Sequence, residues 1–173
     1  TAIRDSAGVD ILTAGEDELR SVLRKLRAED AAGLGRGRLI DLLFKKAVRP
    51  SLIQPTFLIN HPVVISPLAK RRTDQPELAE RFQVLAAGSE IGNGFSELND
   101  PVDQRERFRQ QAALRAAGDQ EAQMTDEDFV EALEHGMPPT AGFGVGVDRL
   151  LMLLANQSSI REVVLFPTMR PPS

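Results

Sequence analysis

The stretch ERFQVLAAGSEIGNGFSELNDP, residues 80–101, decides how this chain folds. Apolar residues run on both sides of Gly88-Ser89, which predicts two strands over residues 81–98 joined by a two-residue turn at that pair. The second strand carries two carboxylates and an amide among glycines, where a purely structural strand would carry Val and Ile. Its composition therefore indicates a site as well as a strand.

The polar side chains of this hairpin are predicted to converge on one face of a sheet. Asn93, Phe95 and Glu97 share a face because side chains alternate along a strand. Glu90 is out of phase with them, but a one-residue bulge between Glu90 and Asn93 would bring it round. With that bulge, Gln83 on the first strand would lie across from Phe95. Unpaired carboxylates are costly to bury, so this face either binds a ligand or is simply wet.

Glycines leave two predicted strands without side chains at several positions beside this face. Gly92 and Gly94 interrupt the strand with the carboxylates, and Gly142, Gly144 and Gly146 interrupt a later one. Glycine in a strand costs stability, so it usually marks close approach by a ligand or by another backbone. Two such strands indicate a flat floor on which a planar ligand could lie.

Charged residues around this floor suggest what it could bind. Glu97 could pair with an ammonium group, and Glu90 could hold Mg²⁺, which prefers carboxylate and phosphate oxygens. Arg149 lies where the glycine-rich strand runs into a helix, well placed to meet a phosphate or stack on a base. The cluster Lys70-Arg71-Arg72 is either a solvated loop or a phosphate contact. The run GFGVG is not a dinucleotide fingerprint, because its third glycine is wrongly spaced.

Further helices and strands are predicted on both sides of the hairpin. Apolar residues recur at helical spacing in several segments, and Asn99-Asp100-Pro101 is typical of a helix start. The helix that follows it is strongly polar and should lie on the surface. Helices are predicted over residues 16–30, 37–48, 102–117 and 128–136, a glycine-rich strand followed by a helix over 140–157, and short strands over 55–60 and 161–167.

Composition narrows the class of protein. With 173 residues, 42% apolar and 27% charged, the chain has the size and composition of one soluble globular domain. Its net charge of −4 argues against a general nucleic-acid surface. Cysteine is absent and only two histidines occur, which excludes thiolate chemistry and argues against a histidine zinc site. No apolar run could span a membrane and no signal peptide opens the chain, so a cytoplasmic protein is expected.

Four long segments of the chain carry a family resemblance. They are LIQPTFLINHPVVISPLAKR (52–71), ERFQVLAAGSEIGNGFSELNDPVDQRERF (80–108), DEDFVEALEHGMPPTAGFGVGVDRL (126–150) and SIREVVLFPTMRP (159–171). The run GFGVGVDRLLMLL (142–154), which begins in the third segment, is similar to motif 3 of class II aminoacyl-tRNA synthetases, a glycine-rich strand leading to a helix that opens with an arginine. In this order, the four segments resemble consecutive segments of class II lysyl-tRNA synthetases.

The resemblance implies an α+β fold, in which helices flank an antiparallel sheet, and a reaction in two steps. Lysine and ATP would form lysyl-adenylate, and the lysyl group would pass to tRNA(Lys), in a parent protein that is a homodimer. Arg149 would be the catalytic residue on the ATP phosphates, and Glu90 would be a Mg²⁺ carboxylate. The residues that the resemblance implies for lysine binding are Glu97, Asn93, Phe95 and Gly144.

Two positions depart from the pattern that the resemblance implies. The family usually has a second metal-binding Glu in the first strand of the hairpin, where this chain has Gln83. An amide neutralises no charge, so Mg²⁺ binding at Gln83 and Glu90 should weaken. The family also commonly has Glu where this chain has Val64.

Motif 1, motif 2 and the anticodon-binding barrel have no counterpart in residues 1–173. The chain is therefore expected to be the C-terminal portion of a class II catalytic domain. It should not aminoacylate tRNA by itself, and its uncovered surfaces favour some self-association. Two alternatives stay open: a synthetase paralogue that lysylates a translation factor or a lipid, and a catalytically decayed binding or regulatory module.

Overall fold

The computed structural model describes residues 1–28, 31 and 33–168. The strands are β1 (Thr56–Pro62), β2 (Leu78–Ala86), β3 (Ser89–Ser96) and β4 (Ala141–Val145). The α-helices are α1 (Ala2–Ala7), α2 (Glu16–Lys25), α3 (Arg36–Leu43), α4 (Pro101–Ala116), α5 (Glu127–Glu134) and α6 (Val147–Leu154). The strands form one antiparallel sheet in the order β1-β2-β3-β4 and helices flank it, so the expected α+β fold is confirmed.

The β2–β3 turn lies one residue earlier than the sequence predicts. Ala86 pairs with Ser89, so the two turn residues are Ala87 and Gly88. Both have positive φ, 50° and 69° respectively. A tight hairpin turn of this kind needs positive φ at both central residues, because only then does its twist match the strands. The prediction of a turn at Gly88-Ser89 is therefore wrong by one position.

The predicted bulge in β3 is present. Leu85 pairs with Glu90 while Val84 pairs with Gly92, so Ile91 is the extra residue. The bulge brings Glu90 to the face of Asn93, as expected. Because the turn is displaced, however, Gln83 pairs with Asn93 and not with Phe95, which lies opposite Arg81 instead.

A second bulge, where β1 meets β2, was not predicted. Ile59 pairs with Phe82 and His61 pairs with Ala79, so Glu80 and Arg81 of β2 lie opposite the single residue Asn60 and β2 carries the extra residue. Asn60 has φ 60°, a left-handed conformation that asparagine tolerates better than most residues. The bulge turns His61 to the same sheet face as the polar side chains of β2 and β3.

The N-terminal helices build their own hydrophobic core. Helices α2 and α3 bury one apolar stripe each, and a π-helical turn over Phe44–Val48 extends α3 as far as the predicted end at residue 48. The buried side chains of the two helices are Leu19, Leu23, Leu39, Ile40 and Leu43. Helix α2 ends at Lys25, earlier than predicted, and residues 29 and 30 lie outside the described residues.

Helix α4 begins at the predicted cap but is not wholly on the surface. The Asp100 carboxylate accepts hydrogen bonds from two backbone N–H groups of the first turn, at 2.9 and 3.3 Å. Gln104, Arg107 and Phe108 are buried, which corrects the expectation from its polar sequence. The charge of Arg107 is buried beside Asp103, with 2.8 Å between Nη2 and Oδ2.

The strand predicted over residues 161–167 is wrong. The chain makes a short 3₁₀ turn over Ile160–Glu162 and then runs on without pairing to any strand that the structure describes. Leu165 and Phe166 are 90% and 91% exposed, so an apolar run alone did not suffice to form a strand here. Among the described residues, no helix combines the length and apolar character that crossing a bilayer requires.

Candidate active site

Six polar side chains from three strands share one face of the sheet. The two bulges and the β2–β3 register place them there, since side chains on paired residues point to the same face. They are His61 of β1, Arg81 and Gln83 of β2, Glu90 and Asn93 of β3, and Glu97 just after β3. The structure thus brings together the predicted polar residues, and it adds His61 and Arg81.

Gln83 connects its two neighbouring strands through its amide. Its Nε2 donates to Glu90 Oε2 at 2.9 Å, and its Oε1 lies 3.0 Å from His61 Nε2. His61 is only 5% exposed, and burial lowers its pKa, although the hydrogen bond with Gln83 acts in the opposite direction. Both ring nitrogens face oxygen atoms, since Nδ1 lies 3.3 Å from the backbone oxygen of Arg81, and the shorter contact assigns the proton of the neutral ring to Nε2, which then donates to the amide oxygen.

Arg81 fixes the middle of the polar face. Its Nε donates to Asn93 Oδ1 at 3.0 Å, and Nη1 donates to Ile65 O and Ser66 Oγ at 2.8 and 3.0 Å. Burial lowers the pKa of Arg81, while the charge of Glu90 opposes that change. An arginine inside an apolar strand was the sequence signal for this residue, because a buried guanidinium requires acceptors.

Glu97 lies at the opposite end of the face from Glu90. Its side chain is half-buried, and burial raises its pKa above the ordinary carboxyl value. A Cβ on Gly142 would meet Glu97 Oε1 at 2.9 Å, so glycine leaves the space that this carboxylate occupies. No ion pair of Glu97 occurs among the residues that the structure describes, so burial alone accounts for the raised pKa.

The floor of the site is β4, which is glycine at the two positions that face the site. Gly142 pairs with Phe95 and Gly144 pairs with Asn93, so both glycines belong to the polar face. The nearest atom to a Cβ on Gly144 would be Asn93 O at 3.9 Å, which leaves open space above that glycine. Phe95 is half-buried at the edge of this strip.

The glycines of β3 serve the other face, which corrects the expectation of two glycine strands under one ligand. A Cβ on Gly92 would lie 3.0 Å from ring atoms of Phe143, and one on Gly94 would lie 2.8 Å from Phe82. The two rings stack with centroids 5.5 Å apart. Gly92 and Gly94 therefore make room for aromatic packing behind the site.

Arg149 lies in the first turn of α6, which begins after Gly146. Its Nη1 donates to the backbone oxygen of Glu90 at 3.0 Å, and the residue is exposed. This contact places a permanent positive charge at the Glu90 end of the face. A phosphate bound there would contact both the Arg149 guanidinium and the N-terminus of α6.

Two of the three basic residues at positions 70–72 form ion pairs with carboxylates of the same chain. Arg71 binds Asp103 through Nε and Nη2 at 2.9 and 3.0 Å. Arg72 binds Asp74 in the same two-pronged way, at 3.0 and 2.8 Å. These pairs favour the interpretation of a structural loop over that of a phosphate contact.

The donors at the Glu90 end fit Mg²⁺ only in part. Glu90 is a single carboxylate, and no cluster of three His, Cys, Asp or Glu residues suited to a metal occurs in the described part of the chain. Mg²⁺ commonly takes one or two carboxylates and completes its shell with substrate phosphates and water. Glu90 fits that role, but an ion held between residues 83 and 90 does not fit, because the Gln83 NH₂ group faces the carboxylate.

A cavity of about 770 Å³ adjoins this end of the face. Residues of α1, α3 and β1 line it, and so do Arg81, Gln83 and Glu90. Its volume falls within the range of small-molecule sites, and the side chain of Lys45 also faces it. The polar face therefore continues into a space large enough for part of a nucleotide.

Comparison with known proteins identifies the family. The family model described as class II tRNA synthetases (D, K and N) matches residues 16–170. A protein named lysine–tRNA ligase from Moorella thermoacetica is 54% identical over 172 residues, 98% of this chain and 35% of that relative. Those named so from Roseiflexus castenholzii and Porphyromonas gingivalis are 54% and 51% identical, each over 98% of this chain. This chain spans about 35% of the length of the relatives from Moorella and Roseiflexus, and it belongs to the class II tRNA synthetase family.

Proposed function

We propose that the protein to which this chain belongs is a lysine–tRNA ligase. It activates lysine with ATP to lysyl-adenylate and pyrophosphate, and then transfers the lysyl group to tRNA(Lys). The chain is the C-terminal portion of the catalytic domain of that protein, which works in the cytoplasm as a homodimer. The relatives that bear this name match almost the whole chain, which supports the proposal.

One observation carries the choice of lysine. Glu97 is a half-buried carboxylate with a raised pKa, and it lies beside a strand that has no side chains at Gly142 and Gly144. A lysine side chain laid along that strip would bring its ammonium to Glu97 and form a charge-assisted hydrogen bond. Asn93 and Phe95 flank the strip and would line the lysine pocket, with Gly144 under the amino acid.

The nucleotide is proposed to bind at the other end of the face. Glu90 lies roughly 20 Å from Glu97 along the strand, which leaves room for both substrates end to end. Arg149 would contact the ATP phosphates and stabilise the charge that develops as lysine is activated. Arg81 holds Asn93 between the two ends, so the two substrate sites keep a set spacing.

The chemistry that this chain supports is positioning and charge neutralisation. The lysine carboxylate would attack the α-phosphate of ATP in line with the departing pyrophosphate, so no proton transfer is needed at that step. Mg²⁺, when bound with ATP at Glu90, would neutralise phosphate charge. The protein's own contributions are the carboxylate of Glu97, the guanidinium of Arg149 and the bare floor of β4.

Lysine-dependent exchange of pyrophosphate into ATP by the full-length protein tests the proposal. We expect exchange that is specific for lysine, and a fall of roughly 10- to 100-fold in kcat/KM for lysine in Glu97→Gln. Glu131→Gln, an exposed position on α5, is the matched control and should change neither constant. Exchange driven equally well by other amino acids would contradict the proposal.

The Gln83→Glu variant of the full-length protein separates a ligase from a decayed module. Exchange by the unmodified protein would mean that it works with Gln83 in place. Silence from the unmodified protein, with activity in the variant, would instead support a module that has lost catalysis. Testing tRNA, translation factors and lipids as acceptors would then decide which group receives the lysyl unit.

A further inference from the structure

A hydrogen-bonded chain of three side chains crosses the sheet at the Glu90 end. It runs from His61 on β1 through Gln83 on β2 to Glu90 on β3, with contacts of 3.0 and 2.9 Å. The β2 bulge opposite Asn60 and the β3 bulge are both needed to bring the outer two residues to the face of Gln83. The position of the Gln83 side-chain amide therefore depends on three strands and on two bulges.

The orientation of this amide follows from the groups on either side. The ionised Glu90 carboxylate only accepts hydrogen bonds, so the Gln83 NH₂ group must face it. The amide oxygen then faces His61 Nε2, which donates. Each end of the amide is thus matched to its neighbour, and rotation of the amide would break both contacts.

A carboxylate at position 83 would behave differently. It would set two acceptors face to face at a spacing of 2.9 Å, and only a proton or a cation between them could stabilise that pair. The NH₂ group of Gln83 donates to Glu90 and so takes the place of such a cation. The same two strands thus tie Glu90 in place without an ion between residues 83 and 90.

We propose that Gln83 is a positioning residue whose amide takes the place of a divalent cation between the β2 and β3 side chains and holds Glu90 ready for a single Mg²⁺ bound with ATP. The proposal rests on the proposed function for the presence of ATP at Glu90. It assigns His61 the task of orienting the amide. It also distinguishes this protein from any form with a carboxylate at position 83.

Counting bound Mn²⁺ by electron paramagnetic resonance tests this directly. The full-length protein is titrated with Mn²⁺ in the presence of a non-hydrolysable ATP analogue, beside Gln83→Glu. We expect the variant to bind one more tight Mn²⁺ per site than the unmodified protein. The proposal would be overturned if both proteins bound the same number of Mn²⁺ ions and the unmodified protein kept its ion when the nucleotide was left out.

The matched control is another glutamine–glutamate pair outside the site. Gln110 Nε2 donates to Glu106 Oε1 at 3.0 Å on the exposed side of α4, nearly the same distance as between Gln83 and Glu90. Gln110→Glu adds the same charge next to the same kind of carboxylate, and its Mn²⁺ count should equal that of the unmodified protein. A gain there equal to the gain in Gln83→Glu would mean that added charge alone attracts the ion.

Thermal unfolding supplies a second reading that does not depend on activity. In EDTA and without nucleotide, the Tm of Gln83→Glu should fall and Mg²⁺ should restore it, while the Tm of the unmodified protein should be insensitive to Mg²⁺. A Tm of the unmodified protein that rises with Mg²⁺ alone would contradict the proposal. Loss of lysine specificity in the exchange assay would instead contradict the proposed function. The Mn²⁺ counts and the Mg²⁺ dependence of the Tm would still test the role of Gln83.

Discussion

The Glu97 carboxylate occupies the space that a side chain on Gly142 would fill, with 2.9 Å between Oε1 and the position of that Cβ. Gly142 lies on β4 and pairs with Phe95, while Glu97 lies just beyond the end of β3. Real Cβ atoms do not come so close to an oxygen, so any residue larger than glycine must displace the carboxylate. The glycine and the acid form one functional unit.

We therefore predict that Gly142→Ala weakens lysine binding by the full-length protein. Displacement of the Glu97 carboxylate should raise the KM for lysine roughly ten-fold, about 1.4 kcal/mol, and leave the KM for ATP nearly unchanged. Steady-state pyrophosphate exchange measures both constants. Gly15→Ala is the control, since no atom lies within 4 Å of the added methyl group and its φ is −76°. An unchanged KM for lysine would disprove this link.

A second prediction concerns pH. Burial raises the pKa of Glu97, so this carboxylate takes up a proton at a higher pH than an ordinary glutamate does. The lysine ammonium requires the ionised form, and the KM for lysine should therefore rise as the pH is lowered from neutrality toward the raised pKa. The change should be absent from Glu97→Gln. A profile of the same shape in both proteins would assign the titration to another group.

The third prediction concerns the buried pair of Asp103 and Arg107. Burial opposes ionisation of Asp103, but hydrogen bonds from Arg71 and Arg107 outweigh it and lower its pKa to about 2. Asp103→Asn should destabilise the fold by about 3 kcal/mol, because it leaves the buried guanidinium of Arg107 without a counter-charge. Urea unfolding measures this. Asp74→Asn removes a similar but fully exposed pair, which solvent screens, and should cost much less stability than Asp103→Asn.

The same carboxylate predicts the acid limit of the fold. Its pKa is lowered from 3.8 to about 2 in the folded state, so its stabilising effect is complete above 3.8. That effect is lost as the pH falls from 3.8 toward 2. Asp103→Asn should therefore be less stable than the unmodified protein near neutral pH and should approach it in acid. A stability difference that stays constant across this range would contradict the assignment.

The fourth prediction concerns the hairpin turn. Ala87 has φ 50°, a conformation that costs a residue with a Cβ roughly 1 kcal/mol but costs glycine little. Ala87→Gly should therefore raise the free energy of unfolding by about 0.5–1 kcal/mol. Ala112→Gly on the exposed side of α4 is the opposite case and should lower it by about 1 kcal/mol. A loss of stability in both variants would show that the turn tolerates alanine without strain.

Local patterns explain why much of the hairpin could be predicted. Alternation along a strand identified the face of Asn93, Phe95 and Glu97, and a glycine next to an out-of-phase acid indicated the bulge. The turn was misplaced by one residue because alanine rarely takes the positive φ that Ala87 adopts. That one-residue error moved the expected partner of Gln83 by two positions.

Residues that depend on pairing between distant segments escaped prediction. His61 reaches the site only because β2 bulges opposite Asn60, and neither His61 nor Asn60 signals this on its own. The glycines of β3 and β4 look alike in sequence, yet Gly92 and Gly94 accommodate aromatic rings while Gly142 accommodates a carboxylate. The difference lies in which face each glycine adjoins.

The sequence by itself determined the hairpin, the glycine-rich strand before α6, the capped start of α4 and the family to which the chain belongs. These are local signals, carried by alternation, turn residues and contiguous motifs. Only the tertiary structure decided which side chains meet: Gln83 with His61 and Glu90, and Gly142 with Glu97. The physical reason is register, because a one-residue slip between strands moves every side chain to the opposite face, and register is set by the whole sheet at once.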